Sequence, residues 1–560
     1  MHTAVPLTWI RKDIMSTKSL QREVFPTRMA FILAAIGSAI GLGNIWRFPY
    51  VAFENGGGAF LIPYLVALLT AGIPILFFDY VLGHRSRSSA PMSFRVVSKS
   101  FEPLGWFQTG VATVIGIYYA VIIGWALSYT VFSITEAWGD DAGTFFEATY
   151  LHAGELSLGN AFSFVPGILI PLIIVWVIVL GVLFLGVQGG IARFSKIFIP
   201  VLVVLFLALV VRSLFLPGAV DGLNALFTPD FSALAKADVW VAAYGQIFLS
   251  LSVGFGIMIT YAAYLRRRTN LTGSGLIVAF SNSSFEILAG VGVFAALGFM
   301  AHAAGTGVDE VAAGGVGLAF VGFPTLISQM PGGPIFGVLF FLSLVFAGLS
   351  SLISIIQVPV QAVAEKLGIS NRTSLAIVGG GMALVSLLTM PTATGLTVLD
   401  VADAFANNIG IVGGALLAII AVAWIKRSTP LLRDHLNAIS SFRIGKMWTI
   451  ALTIITPIVL GFMLVQQIWT YATTGYTETS ADIIGWVIIA VLIIAAVVLS
   501  VLPWPRASQE FTDRAVEAND ADTKAHPELY TPAHMTGFDD NPTTGTTSAD
   551  AARRTEGDNR

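Results

Sequence analysis

Cysteine is absent from all 560 residues, which excludes disulfides, thiolate metal sites and a cysteine nucleophile. Charge is also scarce. Asp, Glu, Lys and Arg make up 11% of the chain, against about 25% in an ordinary soluble protein. The chain has no phosphate loop of the Gly-x4-Gly-Lys-Ser/Thr type and no His-Glu-x2-His. Its seven histidines (His2, His84, His152, His302, His435, His526, His534) fall outside the centres of the apolar segments. An ATP-driven pump in one chain is thereby excluded, and the expectation is that the protein is not an enzyme. The net charge of −3 identifies no partner, because the charges are sorted by topology.

Apolar sequence fills the space. Hydrophobic residues make up 55% of the chain, with a mean hydropathy of +0.80. Twelve segments are long enough to span a bilayer: 29–53, 58–83, 106–137, 163–185, 192–216, 239–265, 272–301, 334–364, 373–391, 397–425, 446–471 and 481–503. The N-terminus carries Arg11, Lys12, Lys18, Arg22 and Arg28 without a signal peptide's apolar core, so insertion is expected to begin with the first span. Basic residues gather after the second, sixth, eighth and tenth segments (Arg85, Arg87, Arg95, Lys99; Arg266–Arg268; Lys366, Arg372; Lys426, Arg427, Arg433, Arg443, Lys446), with Arg193 between the fourth and fifth. The opposite side holds only Arg47, Arg212 and Lys236, beside several acids. The expectation is that both termini are cytoplasmic.

Two outer connections are long, 138–162 and 302–333. The second contains Gly314-Gly315, Pro324 and two more prolines at 331 and 334, which predicts an ordered re-entrant hairpin. Residues 504–560 are rich in Asp, Thr, Ala, Pro and Gly and predict a disordered cytoplasmic tail.

The first segment holds the most informative stretch, GSAIGLGNIWRF at 37–48. Three glycines, an asparagine and an arginine cannot hold a helix against lipid, and a mid-membrane Arg costs about 2.5 kcal/mol or far more. Irregular backbone at that depth is tolerated only where it is buried in protein or lines a water-filled cavity. A broken helix there predicts a solute or ion site. The sixth segment echoes it: Ser38 to Gly43 reads SAIGLG, and Ser252 to Gly256 reads SVGFG. Interrupted helices five segments apart are what two inverted five-helix repeats would produce. The expected fold is an all-α integral membrane protein of about 12 transmembrane helices, with broken helices 1 and 6 and two further C-terminal helices. The divisions expected are 1–27, a cytoplasmic N-terminal segment; 28–226, the first repeat; 227–430, the inverted second repeat; 431–503, helices 11 and 12; and the tail, 504–560.

GLGNIWRFPY at 41–50 and ENGGGAFLIPY at 54–64 resemble the signature of the neurotransmitter:sodium symporter family, whose bacterial members carry amino acids. Ile117 to Tyr119, Arg193 to Lys196, Gly245 to Phe248, Ser252 to Gly256, Ala347 to Ser351 and Gln357 add to the resemblance, which spans roughly residues 22–500. It implies bound sodium, with two ions expected. One would sit among the Ala39 carbonyl, Asn44, Ser250 and Asn282. The other would use the Gly37, Ile40 and Ala347 carbonyls with the Ser350 and Ser351 hydroxyls, Ser350 standing where relatives have threonine.

The resemblance also implies a substrate class. Amine-carrying relatives have an aspartate where this chain has Gly41. A substrate carboxylate is therefore expected at the Leu42 and Gly43 amides, with Tyr119 as hydroxyl donor. The amino group would meet carbonyls near Ala39, Leu249 and Ser250, with Ser252 close by. Ile115, Phe255, Ile355 and Leu249 would surround an uncharged side chain, Leu249 replacing an aromatic lid. An aliphatic amino acid or methionine is favoured over an aromatic one. Arg47 with Asp403 would form an outer gate, and Arg22 with Glu365 an inner one, near Tyr264 and Gln357. Glu286 replaces a serine that helps hold chloride in animal relatives, so no chloride requirement is expected. Asp79 is a further acid at depth, with no role implied. The partners expected are an amino acid and membrane lipid, not nucleic acid, in the cell membrane; a small accessory membrane subunit or a homodimer stays open. The alternatives are an aromatic amino-acid transporter, or a sensor or channel on the same scaffold.

Overall fold

Glycine costs a helix interior roughly 1 kcal/mol relative to alanine, and at 37–43 and 252–256 glycines fall together with serine. A computed structural model describes residues 23–311 and 315–525, and both places are breaks. Helix α1 (Arg28–Ala39) stops at Ile40 and Gly41, and α2 (Leu42–Glu54) resumes at an angle of 54°. Likewise α7 (Ala237–Ser250) ends before an irregular stretch, and α8 (Ile257–Ala263) follows it. Within that stretch φ is +54° at Ser252, +83° at Gly254 and +87° at Gly256, a left-handed backbone that only glycine adopts freely.

Among the described residues, ten further helices are each long and apolar enough to cross a membrane. They are α3 (Gly58–Ser86), α4 (Lys99–Phe132), α5 (Pro166–Phe184), α6 (Val187–Leu214), α9 (Leu271–Ala304), α10 (Gly333–Leu367), α11 (Asn371–Thr389), α12 (Gly395–Ile425), α13 (Lys446–Thr473) and α14 (Thr479–Val501). With α1 and α2 taken as one bent span they make eleven, and α7 with α8 occupies the remaining expected segment. The molecule is an all-α membrane protein.

Helices α4 and α10 make the most extensive pairing, and α1, α2, α7 and α8 pack near the middle of the molecule. On the periphery, Val177 of α5, Val204 of α6, Ile458 and Val465 of α13 and Val498 of α14 are exposed apolar side chains, suited to lipid. The connection 302–333 is helical where described: Val308–Val311, a wide turn at Leu318–Gly322, and Phe323–Gln329. Phe323 stacks on Phe340 of α10 with ring centroids 4.0 Å apart, which fastens this connection to the helix that carries Ser350 and Ser351.

One expectation fails. The segment 504–560 is not wholly disordered, because Arg506–Ala525 forms a helix, α15. Many of its contacts are polar, which is why low hydrophobicity missed it. Ser508 Oγ donates to the Glu365 carbonyl at 2.9 Å, and Thr512 pairs with Ser88 at 2.7 Å. The Asn519 amide donates to the Arg85 carbonyl at 3.0 Å, and Asp520 takes a bidentate pair from Arg85 at 2.7 and 2.9 Å. Arg22 lies outside the described residues, so the expected inner ion pair is represented only by Glu365.

Candidate substrate and sodium sites

A helix that stops in mid-membrane leaves its last carbonyls without intrahelical donors, at the negative end of its dipole. At the end of α1 these carbonyls meet α10. Ser350 Oγ lies 2.7 Å from the Gly37 carbonyl oxygen and 2.9 Å from that of Ala347. Ser351 Oγ lies 3.2 Å from the Ser38 oxygen, 3.4 Å from Gly37 and 3.5 Å from Ile40. All five residues expected at the second sodium site thus come together as three carbonyls and two hydroxyls. Ser38 adds a carbonyl that sequence reading missed. A hard monovalent cation wants this neutral oxygen set, and no other kind of donor intrudes.

The residues of the first expected site form a chain. Asn44 Nδ2 donates to Asn282 Oδ1 at 2.7 Å, and Asn282 Nδ2 donates to Ser250 Oγ at 3.1 Å. Asn44 Oδ1 accepts from the Gly41 amide at 3.2 Å, so this side chain also caps α2. Ser252 Oγ donates to the Ser38 carbonyl at 3.0 Å, tying one irregular stretch to the other. Asn44, Asn282 and Ser250 are thus linked side chain to side chain, all buried.

Between the two breaks lies a cavity of about 460 Å³. Its lining includes all ten expected substrate residues: Ala39, Leu42, Gly43, Ile115, Tyr119, Leu249, Ser250, Ser252, Phe255 and Ile355. The first amides of α2 face an anion as any helix N-terminus does. Tyr119 Oη accepts from the Leu42 amide at 3.2 Å, so its own proton is available to a second acceptor. A Cβ at Gly43 would meet nothing within 4 Å, leaving that backbone open to a ligand. At Gly41 a Cβ would lie 3.2 Å from Tyr119 Oη and 3.3 Å from Ser351 Oγ. A side chain there would crowd both hydroxyls. Near the start of α2 the lining is polar, and Ile115, Leu249, Phe255 and Ile355 supply apolar walls, a combination suited to a small ligand with one polar and one apolar part.

The family model for the sodium:neurotransmitter symporter family matches residues 22–151 and 140–507. The chain belongs to that family. It is 39% identical over 485 residues to an uncharacterized sodium-dependent transporter of Methanocaldococcus jannaschii, covering 86% of this chain and 98% of that one. It is 29% identical over 499 residues to the sodium-dependent serotonin transporter of Drosophila melanogaster, covering 83% of this chain and 78% of that one. Among solved structures, it is similar to MhsT in complex with L-phenylalanine, with a TM-score of 0.67 at 32% identity, over 80% of this chain and all of that one. The protein is therefore a sodium-dependent membrane transporter of this family, built on two inverted repeats.

Other family positions fall around the cavity. Arg47 and Asp403 both line its wide end, yet no ion pair joins them. Asp403 Oδ1 instead accepts from Tyr118 Oη and Asn407 Nδ2, each at 2.8 Å. At the other end, Gln357 Nε2 donates to Tyr264 Oη at 2.6 Å. The Glu365 carboxylate accepts from the Ser89 amide at 3.0 Å and the Ser89 hydroxyl at 2.6 Å. Glu286 is fully buried and accepts from Tyr64 Oη and, at 2.6 Å, from Gln246 Nε2. Tyr64, Gln246 and Tyr118 all lie inside matched motifs. Their roles were missed because those motifs show which residues are present and not which carboxylate each one faces.

Proposed function

We propose that this protein is a sodium-coupled symporter that takes up a neutral amino acid, aliphatic or methionine-like, by alternating access without chloride. The observation that carries the reading is the seam between the two broken helices. Five uncharged oxygens of Gly37, Ile40, Ala347, Ser350 and Ser351 gather within hydroxyl reach, beside a cavity whose polar end is the start of α2. Two sodium ions are assigned, one there and one among Ala39, Asn44, Ser250 and Asn282. The second of these would share its shell with the substrate carboxylate, which makes binding of ion and amino acid mutually dependent.

The broken helices, with α3 and α9, form the bundle that rocks against the remaining helices around this fixed site. The separation of Arg47 from Asp403 and the open cavity between them fit an outward-facing member of the cycle. Both termini face the cytoplasm of a cell that carries the protein in its plasma membrane, and Glu286 supplies the negative charge that a chloride ion would otherwise bring. A second reading has its own support: MhsT is described with L-phenylalanine, and Leu249 leaves the cavity roof without an aromatic ring. An aromatic substrate is that alternative.

The test is uptake into proteoliposomes with sodium imposed outside, comparing leucine, methionine, phenylalanine and tryptophan. Accumulation that collapses with a sodium ionophore is expected. Preference for phenylalanine or tryptophan would select the aromatic reading, and accumulation independent of sodium would overturn both.

A further inference from the structure

Asp79 is the buried acid for which neither the ion sites nor the gates account. It sits on α3 with 1% of its surface exposed. Its one hydrogen-bond donor among the described residues is the backbone amide of Gly254, 3.1 Å from Oδ2. Gly254 is the middle of the irregular stretch between α7 and α8, and its amide has no helical carbonyl to meet.

The stretch is confined on three sides. Ser252 is fastened to the Ser38 carbonyl at 3.0 Å. A Cβ on Gly254 would come within 2.9 Å of Ala415 Cβ on α12, so the backbone presses against that helix. Asp79 holds the remaining side. Phe255, the next residue, lines the substrate cavity, and so does Ser252, two residues before. Turning the peptide that joins Val253 to Gly254 would swing both.

We propose that Asp79 is a positioning residue that sets side-chain selectivity. Its carboxyl oxygen fixes the Gly254 amide, and through it the Phe255 wall of the cavity. The role needs an oxygen acceptor at one distance and does not need a negative charge. It rests on the substrate reading given above.

The test measures equilibrium binding of leucine and phenylalanine, with sodium activation recorded in parallel, for wild type, Asp79→Asn, Asp79→Ala and Asp79→Glu. Asparagine keeps an acceptor oxygen in place and is expected within about three-fold of wild type for both ligands. Alanine removes the acceptor and leaves the buried Gly254 amide unpaired, and is expected to weaken binding about ten-fold or more. It should also change the leucine-to-phenylalanine ratio while leaving the sodium dependence alone. Glutamate, longer by one methylene, should shift that ratio too. An Asn variant as impaired as the Ala variant would overturn the proposal, since charge would then matter. So would Ala and Glu variants with the wild-type ratio. Should the Ala variant fail to fold, the Asn and Glu variants decide by the same ratio. A wild type that binds no neutral amino acid would overturn the substrate reading itself.

Discussion

Glu286 lies one helical turn beyond Asn282 on α9, and Tyr64 and Gln246 both point hydrogens at its carboxylate. Such donors also suit a small anion, and on the proposed function the carboxylate takes the place of one. Uptake by the wild type should therefore be indifferent to replacing chloride with gluconate. Glu286→Ser should lower uptake about ten-fold or more, the scale of a lost charge-assisted interaction, and chloride should restore part of it. A wild type that stalls in gluconate would show that this glutamate is not the counter-charge. Ser351 poses the complementary case, because its hydroxyl reaches three carbonyls of the α1 break. Ser351→Ala removes the one oxygen that reaches all three, and no neighbour replaces it. Sodium activation should shift about ten-fold or more to higher concentration, while thermal stability without sodium changes little. An unchanged activation curve would remove Ser351 from the site.

Among the elements, α15 invites the most direct test. Truncation after Trp504 would strip the partners of Ser88, Arg85 and the Glu365 carbonyl. The truncated protein should melt several degrees lower yet keep its affinity for sodium, which a thermal-shift assay with and without sodium would read. Close to α15, the helix Thr429–Ala438 places His435 against His84, with ring nitrogens 3.0 Å apart. Burial, then the neighbouring His84 and Arg85, holds the His435 imidazole well below the ordinary histidine value of 6.5. The folded protein keeps it neutral, so as pH falls through 6.5 the unfolded chain takes up the proton first. Its contribution to stability is complete above that pH and is lost progressively below it. Melting temperature should drop from about pH 7.5 to about pH 5.5, and His435→Gln should flatten that slope. The two broken helices were legible in the sequence, because clustered glycines beside Asn44 and Arg47 have few explanations inside a membrane. Helix α15 was not, because Ser508, Thr512 and Asn519 are buried by hydrogen bonding and look like any polar linker.

At the scale of the whole molecule, function depends on which side of the central cavity is sealed. The end beside the start of α1 is tightly packed: Phe25 packs edge-on against Phe31, Tyr261 and Tyr264, and its amide donates to the Tyr264 carbonyl at 3.0 Å. Arg47 and Asp403 both line the central cavity, and no ion pair joins them. Family motifs had named both residues, but no sequence pattern could say that Tyr118 and Asn407 would hold the carboxylate while the arginine stands apart. That arrangement makes Asp403→Asn a clean perturbation. An asparagine oxygen can still accept from Tyr118, so local packing survives and only the charge that would draw Arg47 across is lost. Closure then lacks its electrostatic reward in a site shielded from bulk water, where a charge pair is worth more than in solution. Transport should fall about ten-fold or more, while equilibrium affinity for the amino acid, set deeper in the cavity, should change less than about three-fold. The measurement pairs initial uptake rates with equilibrium binding on the same preparation. Complete loss of binding in Asp403→Asn would place this carboxylate in the substrate site rather than at the gate, and full transport would show that closure does not need the pair.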